Sequence, residues 1–197
     1  MKIKNLALLF VVIVTCGILI NLNFGVEPEV VYVEVVKTVY VPAPPEPKAP
    51  PAPKVPIFNI PLSEELQRYT YDLCIEYKIV DHYPLILAVM GHESRYNETV
   101  ISKTNDYGLM QINRGNHSWL SDKLGITNFL SAKQNIRAGI YMLSTYLNKY
   151  STVNEALMAY NMGEGGARKQ WNAGNYTTTY TTKVHSVLKL ILEDNYK

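Results

Sequence analysis

A chain of 197 residues has room for one compact domain and additional segments. With 47% hydrophobic and 18% charged residues it can bury a core, and a net charge of +2 suits neither a nucleic-acid binder nor a protein that seeks acidic surfaces. Its two cysteines, Cys16 and Cys74, exclude a disulfide framework in the folded part and a metal cluster built on thiolates.

The N-terminal 1–26 read as a membrane anchor or signal segment. Lys2 and Lys4 precede an uncharged run from Leu6 to Ile20, and Glu27 and Glu29 follow it. The positive-inside rule then keeps the N-terminus cytoplasmic and sends the rest across the membrane. No small-x-small cleavage site follows, which favours an uncleaved single-pass anchor over a cleaved signal or a lipoprotein lipidated at Cys16. Residues 27–56 form the second segment. The β-branched stretch "VVYVEVVKTVYV", 30–41, predicts a stiff stalk or an unpaired strand. After it, "PAPPEPKAPPAPKVP", 42–56, holds eight prolines and predicts a polyproline spacer of about 3 Å per residue. Such a spacer would hold the third segment, 57–197, away from the membrane and near the cell wall.

That third segment reads as mainly helical, with 14 Lys and Arg against 13 Asp and Glu. Ser63 before Glu64 and Glu65 caps a helix with Leu66, Tyr69 and Leu73 on one face. Pro84 suits the first turn of the next helix. From Glu98 to Ser131 the helical spacing lapses around Gly108, Gly115 and Gly125, which predicts a small hairpin or irregular loops. "SAKQ", 131–134, predicts a capping box with Gln134 reaching back to Ser131, ahead of Ile136, Ile140, Leu143 and Leu147. A second box, "TVNE" at 152–155, opens a short helix through "ALMAYN". Val184, Val187, Leu188, Ile191 and Leu192 mark the last helix. The fifteen tyrosines suit core packing and sugar stacking alike.

Glu93 is the residue that calls for a function. It ends the apolar run "LILAVMGHES", lying over Val89 and Ile86 on a helix. A carboxyl held on an apolar face loses hydration, its pKa rises, and it can act as a general acid near neutral pH. The alternative is an ion pair with Arg95 or Arg137. "HESRY" places Tyr96 where a zinc-protease motif needs its second histidine, and His82, His117 and His185 have no ligand spacing. No metal and no cofactor is expected.

Four segments in order carry a resemblance: "HESRYN" (92–97), "NDYGLMQIN" (105–113), "ALMAYNMGEGG" (156–166) and "YTTKV" (180–184). Together they resemble the soluble lytic transglycosylase family, lysozyme-like glycosidases that cut peptidoglycan. The resemblance implies a mainly α, α+β lysozyme-like fold. It implies that Glu93 is the sole acid/base, cleaving the bond between N-acetylmuramic acid and N-acetylglucosamine without water and leaving a 1,6-anhydro end. It implies that Ser94 bonds near the substrate or Glu93, unless it is simply a polar residue at the helix end. Gln111 and the backbone of Gly108 to Met110 would line the cleft, with Leu109 and Met110 packing below. Tyr160 and Asn161 would sit beside Glu93, the tyrosine hydroxyl orienting it. Tyr180 matches the family's late tyrosine and could also reach the carboxylate, but "YTTTY" lacks the glutamate often found before it.

"NDYGLMQIN" also resembles the segment of animal-type lysozymes that holds their second carboxylate, at Asp106. A retaining hydrolase needs two carboxyls about 5–5.5 Å apart. A turn-capping aspartate is the other reading of Asp106. The partners implied are peptidoglycan glycan strands, the membrane through the N-terminal segment, and a wall-spanning machinery; no nucleic acid is expected. A wall-binding module without catalysis is the alternative from another class.

Overall fold

The computed structural model describes residues 11–17, 32–38, 54–194 and 196. The chain divides into two compact units, Met1–Ala52 and Pro53–Lys197. In the first, strand β1 (Val11–Gly17) pairs antiparallel with β2 (Tyr32–Thr38), Val14 opposite Val35. Residues 32–38 are therefore a paired strand and not an unpaired one, with β1 as the other half of the ladder. Of the apolar run 6–20, the described part is this strand. No helix among the described residues is long and apolar enough to cross a membrane. The proline-rich stretch lies outside the described residues up to position 53.

The second unit is mainly helical, as expected. Helix α1 (Glu64–Glu76) starts at the Ser63 cap, whose side chain accepts from the Leu66 amide. Its buried Gln67 donates to the carbonyls of Phe58 and Leu62, which fastens the segment leading into the helix. A single 3-10 turn, Val80–His82, leads to α2 (Tyr83–Ser94), with Pro84 in its first turn. The sequence suggested one apolar face for α2. The structure buries Leu85 to Gly91 on every side, so α2 is the central helix of the unit. Helix α6 (Thr179–Leu192) packs along it, and α1 crosses it. Ile86, Leu87 and Met90 are fully buried, each worth about 1.5–3 kcal/mol.

The expected hairpin is present: β3 (Asp106–Tyr107) pairs with β4 (Ile112–Asn113) around the turn at Gly108–Gln111. A second 3-10 turn, Arg114–Asn116, leads to α3 (His117–Leu124). Helix α4 (Ala132–Lys149) follows the capping position Ser131, but the predicted box does not form. Gln134 instead accepts from the amides of Thr127 and Asn128, tying down the preceding loop. The box at Thr152 and Glu155 does form. Helix α5 (Val153–Asn172) extends well past the short helix predicted, through a kink at Gly163, whose φ of 69° lies in the left-handed region. Helix α6 begins at Thr179, before the first of its marker residues, because Thr178 and Thr181 cap it reciprocally.

Candidate active site

Glu93 lies on the last turn of α2, next to the two left-handed residues Arg95 and Tyr96 that end the helix. Burial of the preceding turns puts its carboxyl among protein atoms, and among the described residues no salt bridge reaches it. Arg137 pairs with Glu76 instead, which removes one of the two expected ion-pair partners. The Tyr180 hydroxyl on the first turn of α6 donates to Glu93 Oε1 at 2.7 Å. Desolvation raises the Glu93 pKa from 4.5 to about 7; the Tyr180 bond pulls it down and the nearby Asp106 charge pushes it up. Tyr180 is itself buried, so it stays a phenol and a donor. The His92 ring meets the Tyr180 ring edge-on, 5.1 Å between centroids.

Glu93, Asp106, Gln111, Tyr160 and Asn161 share one cleft of about 400 Å³. Asn113, Asn116, Met142, Tyr146, Met162 and Gly163 line the rest. Asp106 lines the same cleft from the hairpin. Its Oδ2 accepts from the hydroxyls of Ser102 and Thr104, and its Oδ1 from the Asn113 amide at 2.7 Å. Desolvation, the largest single influence on it, pushes its pKa up, but the bonds from Thr104, Ser102 and Asn113 together outweigh that and hold its carboxyl below the usual range.

Three placements differ from expectation. The Tyr160 hydroxyl donates to the Met110 carbonyl at 2.8 Å, not to Glu93. Orienting the carboxyl falls to Tyr180, because α6 packs along α2 and brings that side chain in. Ser94 donates to the Met90 carbonyl one turn back, so it is a helix-end polar residue. Residues Gly108 to Met110 lie behind the cleft wall and do not line it. Leu109 and Met110 are fully buried, as their packing role required. Gln111 does line the cleft, with a φ of 47° and its side-chain amide donating to the Gly108 carbonyl.

A transglycosylase SLT domain model matches residues 76–183, more than half of the chain. The chain belongs to the transglycosylase SLT domain family. It is 34% identical over 107 residues to a transglycosylase of Enterobacteria phage PRD1, covering 54% of this chain and 37% of that relative. It therefore spans little more than a third of that relative's length. Among solved structures, the lytic transglycosylase Slt of Pseudomonas aeruginosa, an inactive mutant, has the same fold: TM-score 0.55, 20% identity, 70% of this chain and 25% of that one. The 70 kDa soluble lytic transglycosylase of Escherichia coli gives a TM-score of 0.44 at 21% identity, over 64% of this chain and 22% of its own.

Within this SLT domain, sequence reasoning passed over Asn135. It is fully buried on α4, accepts from the Met110 amide at 2.8 Å, and donates to the carbonyls of Tyr107 and Phe129 at 2.7 and 2.8 Å. One side chain thus fixes the hairpin that carries Asp106 and Gln111. Gly108 makes room for it: with φ at 69°, an added Cβ would stand 2.7 Å from Asn135 Nδ2. No periodic signal marked it, since it sits one residue before Ile136 and off the stripe of Ile136, Ile140, Leu143 and Leu147.

Proposed function

We propose that this SLT domain is a peptidoglycan lytic transglycosylase that works through Glu93 alone. The observation that carries the reading is a single carboxyl, desolvated to a pKa of about 7 and held by Tyr180 at the floor of a cleft. An acid poised near the working pH can both give and take a proton, which is worth about 10²–10⁴-fold in rate. Protonated Glu93 gives its proton to the glycosidic oxygen between N-acetylmuramic acid and N-acetylglucosamine as the C1–O bond breaks. The muramic acid 6-hydroxyl then attacks C1, and its proton returns to Glu93. No water enters, and the product ends in a 1,6-anhydro sugar. Gln111, Tyr160 and Asn161 supply polar groups and an aromatic wall along the bound glycan.

The second reading, hydrolysis with Asp106 as partner carboxylate, has one observation in its favour: Asp106 lines the same cleft. Against it, both Asp106 oxygens are occupied by hydrogen bonds from the hairpin. The charged residues before and after the apolar run 6–20 support delivery of the domain across the membrane. Protease accessibility of the full chain in intact cells checks that delivery.

Mass spectrometry of products from purified cell wall tests the chemistry. Muropeptides lighter by one water, without a reducing end, are expected, and none from Glu93→Gln. Reducing ends would establish a hydrolase with Asp106 as second catalytic residue. An intact chain that yields no product would leave a wall-binding module.

A further inference from the structure

A glycan strand is longer than the cleft, so it must leave the cleft across the protein surface. One rim of the cleft is Asn116, immediately before α3. The Asn116 side-chain oxygen accepts from the indole N–H of Trp119 at 3.1 Å. Trp119 is 41% exposed. Helix α3 buries Leu120 alone among its residues, so core packing does not call for a tryptophan at 119. Beyond Trp119 the aromatic surface continues. The Tyr141 ring lies 6.2 Å from Trp119, and the Tyr77 ring 5.9 Å from Tyr141, both half-buried. Tyr141 also adjoins Met142, which lines the cleft.

We propose that Trp119, Tyr141 and Tyr77 form an accessory binding track for the glycan strand, continuous with the cleft and outside its lining. The inference rests on the cleft being a glycan site. Sugar rings present flat C–H faces that stack on aromatic faces, and tryptophan and tyrosine add a polar tip for the hydroxyls. Asn116 holds the indole in place before binding, so little side-chain freedom is lost when a sugar stacks on it. The track recognises the polymer, not the scissile bond. It raises the affinity for long strands and leaves short oligosaccharides, which end inside the cleft, unaffected.

The test uses the full chain carrying Glu93→Gln, so that binding is measured without cleavage. The probes are peptide-free glycan strands of about 20 sugars and a tetrasaccharide cut from the same material. Adding Trp119→Ala is expected to weaken long-strand binding about tenfold, the loss of one aromatic anchor, and to leave tetrasaccharide binding unchanged. Tyr141→Ala is expected to act in the same direction and less strongly, with an unchanged melting temperature confirming the fold. A control at Tyr176→Ala, 53% exposed and in the segment between α5 and α6, is expected to change neither. Equal weakening of both probes by Trp119→Ala would place Trp119 in the cleft itself and overturn the track, as would no weakening of either. If the parent binds neither probe, the glycan reading of the cleft falls and takes the track with it. If the parent binds both and Trp119→Ala leaves both unchanged, the track alone falls.

Discussion

The two walls of the cleft each present a carboxyl, and they treat it in opposite ways. On the α2 wall, Glu93 ends a helix that is apolar all round. It has one donor, Tyr180, and its pKa rises to about 7. On the hairpin wall, Asp106 sits in a polar loop with Ser102, Thr104 and Asn113 donating to it, and its pKa falls. Environment, not residue type, separates the group that moves protons from the group that stays ionised. The same contrast separates what stabilises the walls. The first is apolar burial, and the second is a network of side-chain hydrogen bonds anchored on Asn135.

The strongest way to break the contrast is Glu93→Gln. Cleavage is expected to fall about a thousandfold or more, measured as muropeptide release. The protein should not be weakened. A carboxyl whose pKa rises on folding from 4.5 to about 7 opposes folding once ionised. The glutamine form is therefore expected to melt higher than the parent above pH 7, with the difference gone below pH 4.5. Thermal melts across pH check this.

On the other wall, Asn135→Ala leaves the Met110 amide and the Tyr107 and Phe129 carbonyls without their partner. A loss of about 3 kcal/mol in unfolding free energy is expected, read by urea denaturation. Cleavage at a temperature where the variant is folded should also fall, because the hairpin loses its anchor.

The contrast was legible in the sequence to unequal depth. The α2 wall could be read: an apolar run entering "HES" gives both the helix and the reason for a raised pKa. The sequence could not say that α2 is buried all round, since that depends on α6 lying along it. For the same reason the sequence could not say which of two tyrosines holds the carboxyl. Tyr160, in "ALMAYNMGEGG", bonds Met110, while Tyr180, the match with a departure from the pattern, holds Glu93. The hairpin was read as a lapse in periodicity, but its anchor was not, because a buried asparagine leaves no periodic signal. The kink at Gly163 was equally hidden, since "GEGG" offers three glycines and only tertiary packing decides which one turns. In the N-terminal unit, the pairing of 11–17 with 32–38 joins two segments read separately as anchor and stalk.

Two smaller substitutions sharpen the comparison by shifting Glu93 in opposite directions. Tyr180→Phe removes the bond that favours the ionised carboxyl. The pKa of Glu93 then rises, the basic limb of the pH–rate profile moves up, and kcat falls about tenfold. Asp106→Asn removes a negative charge, so the Glu93 pKa moves down and the same limb moves to lower pH. Its effect on kcat is expected to stay below about tenfold, since the hairpin hydrogen bonds are only partly lost. A drop of about a thousandfold would make Asp106 a reacting group.

The central claim is that Glu93 alone among these two carboxyls holds its proton near neutral pH. Carbon-13 NMR titration of the full chain, with labelled Glu and Asp carboxyls, reads it directly. The account predicts one glutamate resonance titrating near pH 7 that disappears in Glu93→Gln, and an Asp106 resonance titrating below the usual aspartate range. A Glu93 resonance that titrates near 4.5, or a Gln variant that leaves the neutral-pH step in place, would contradict it.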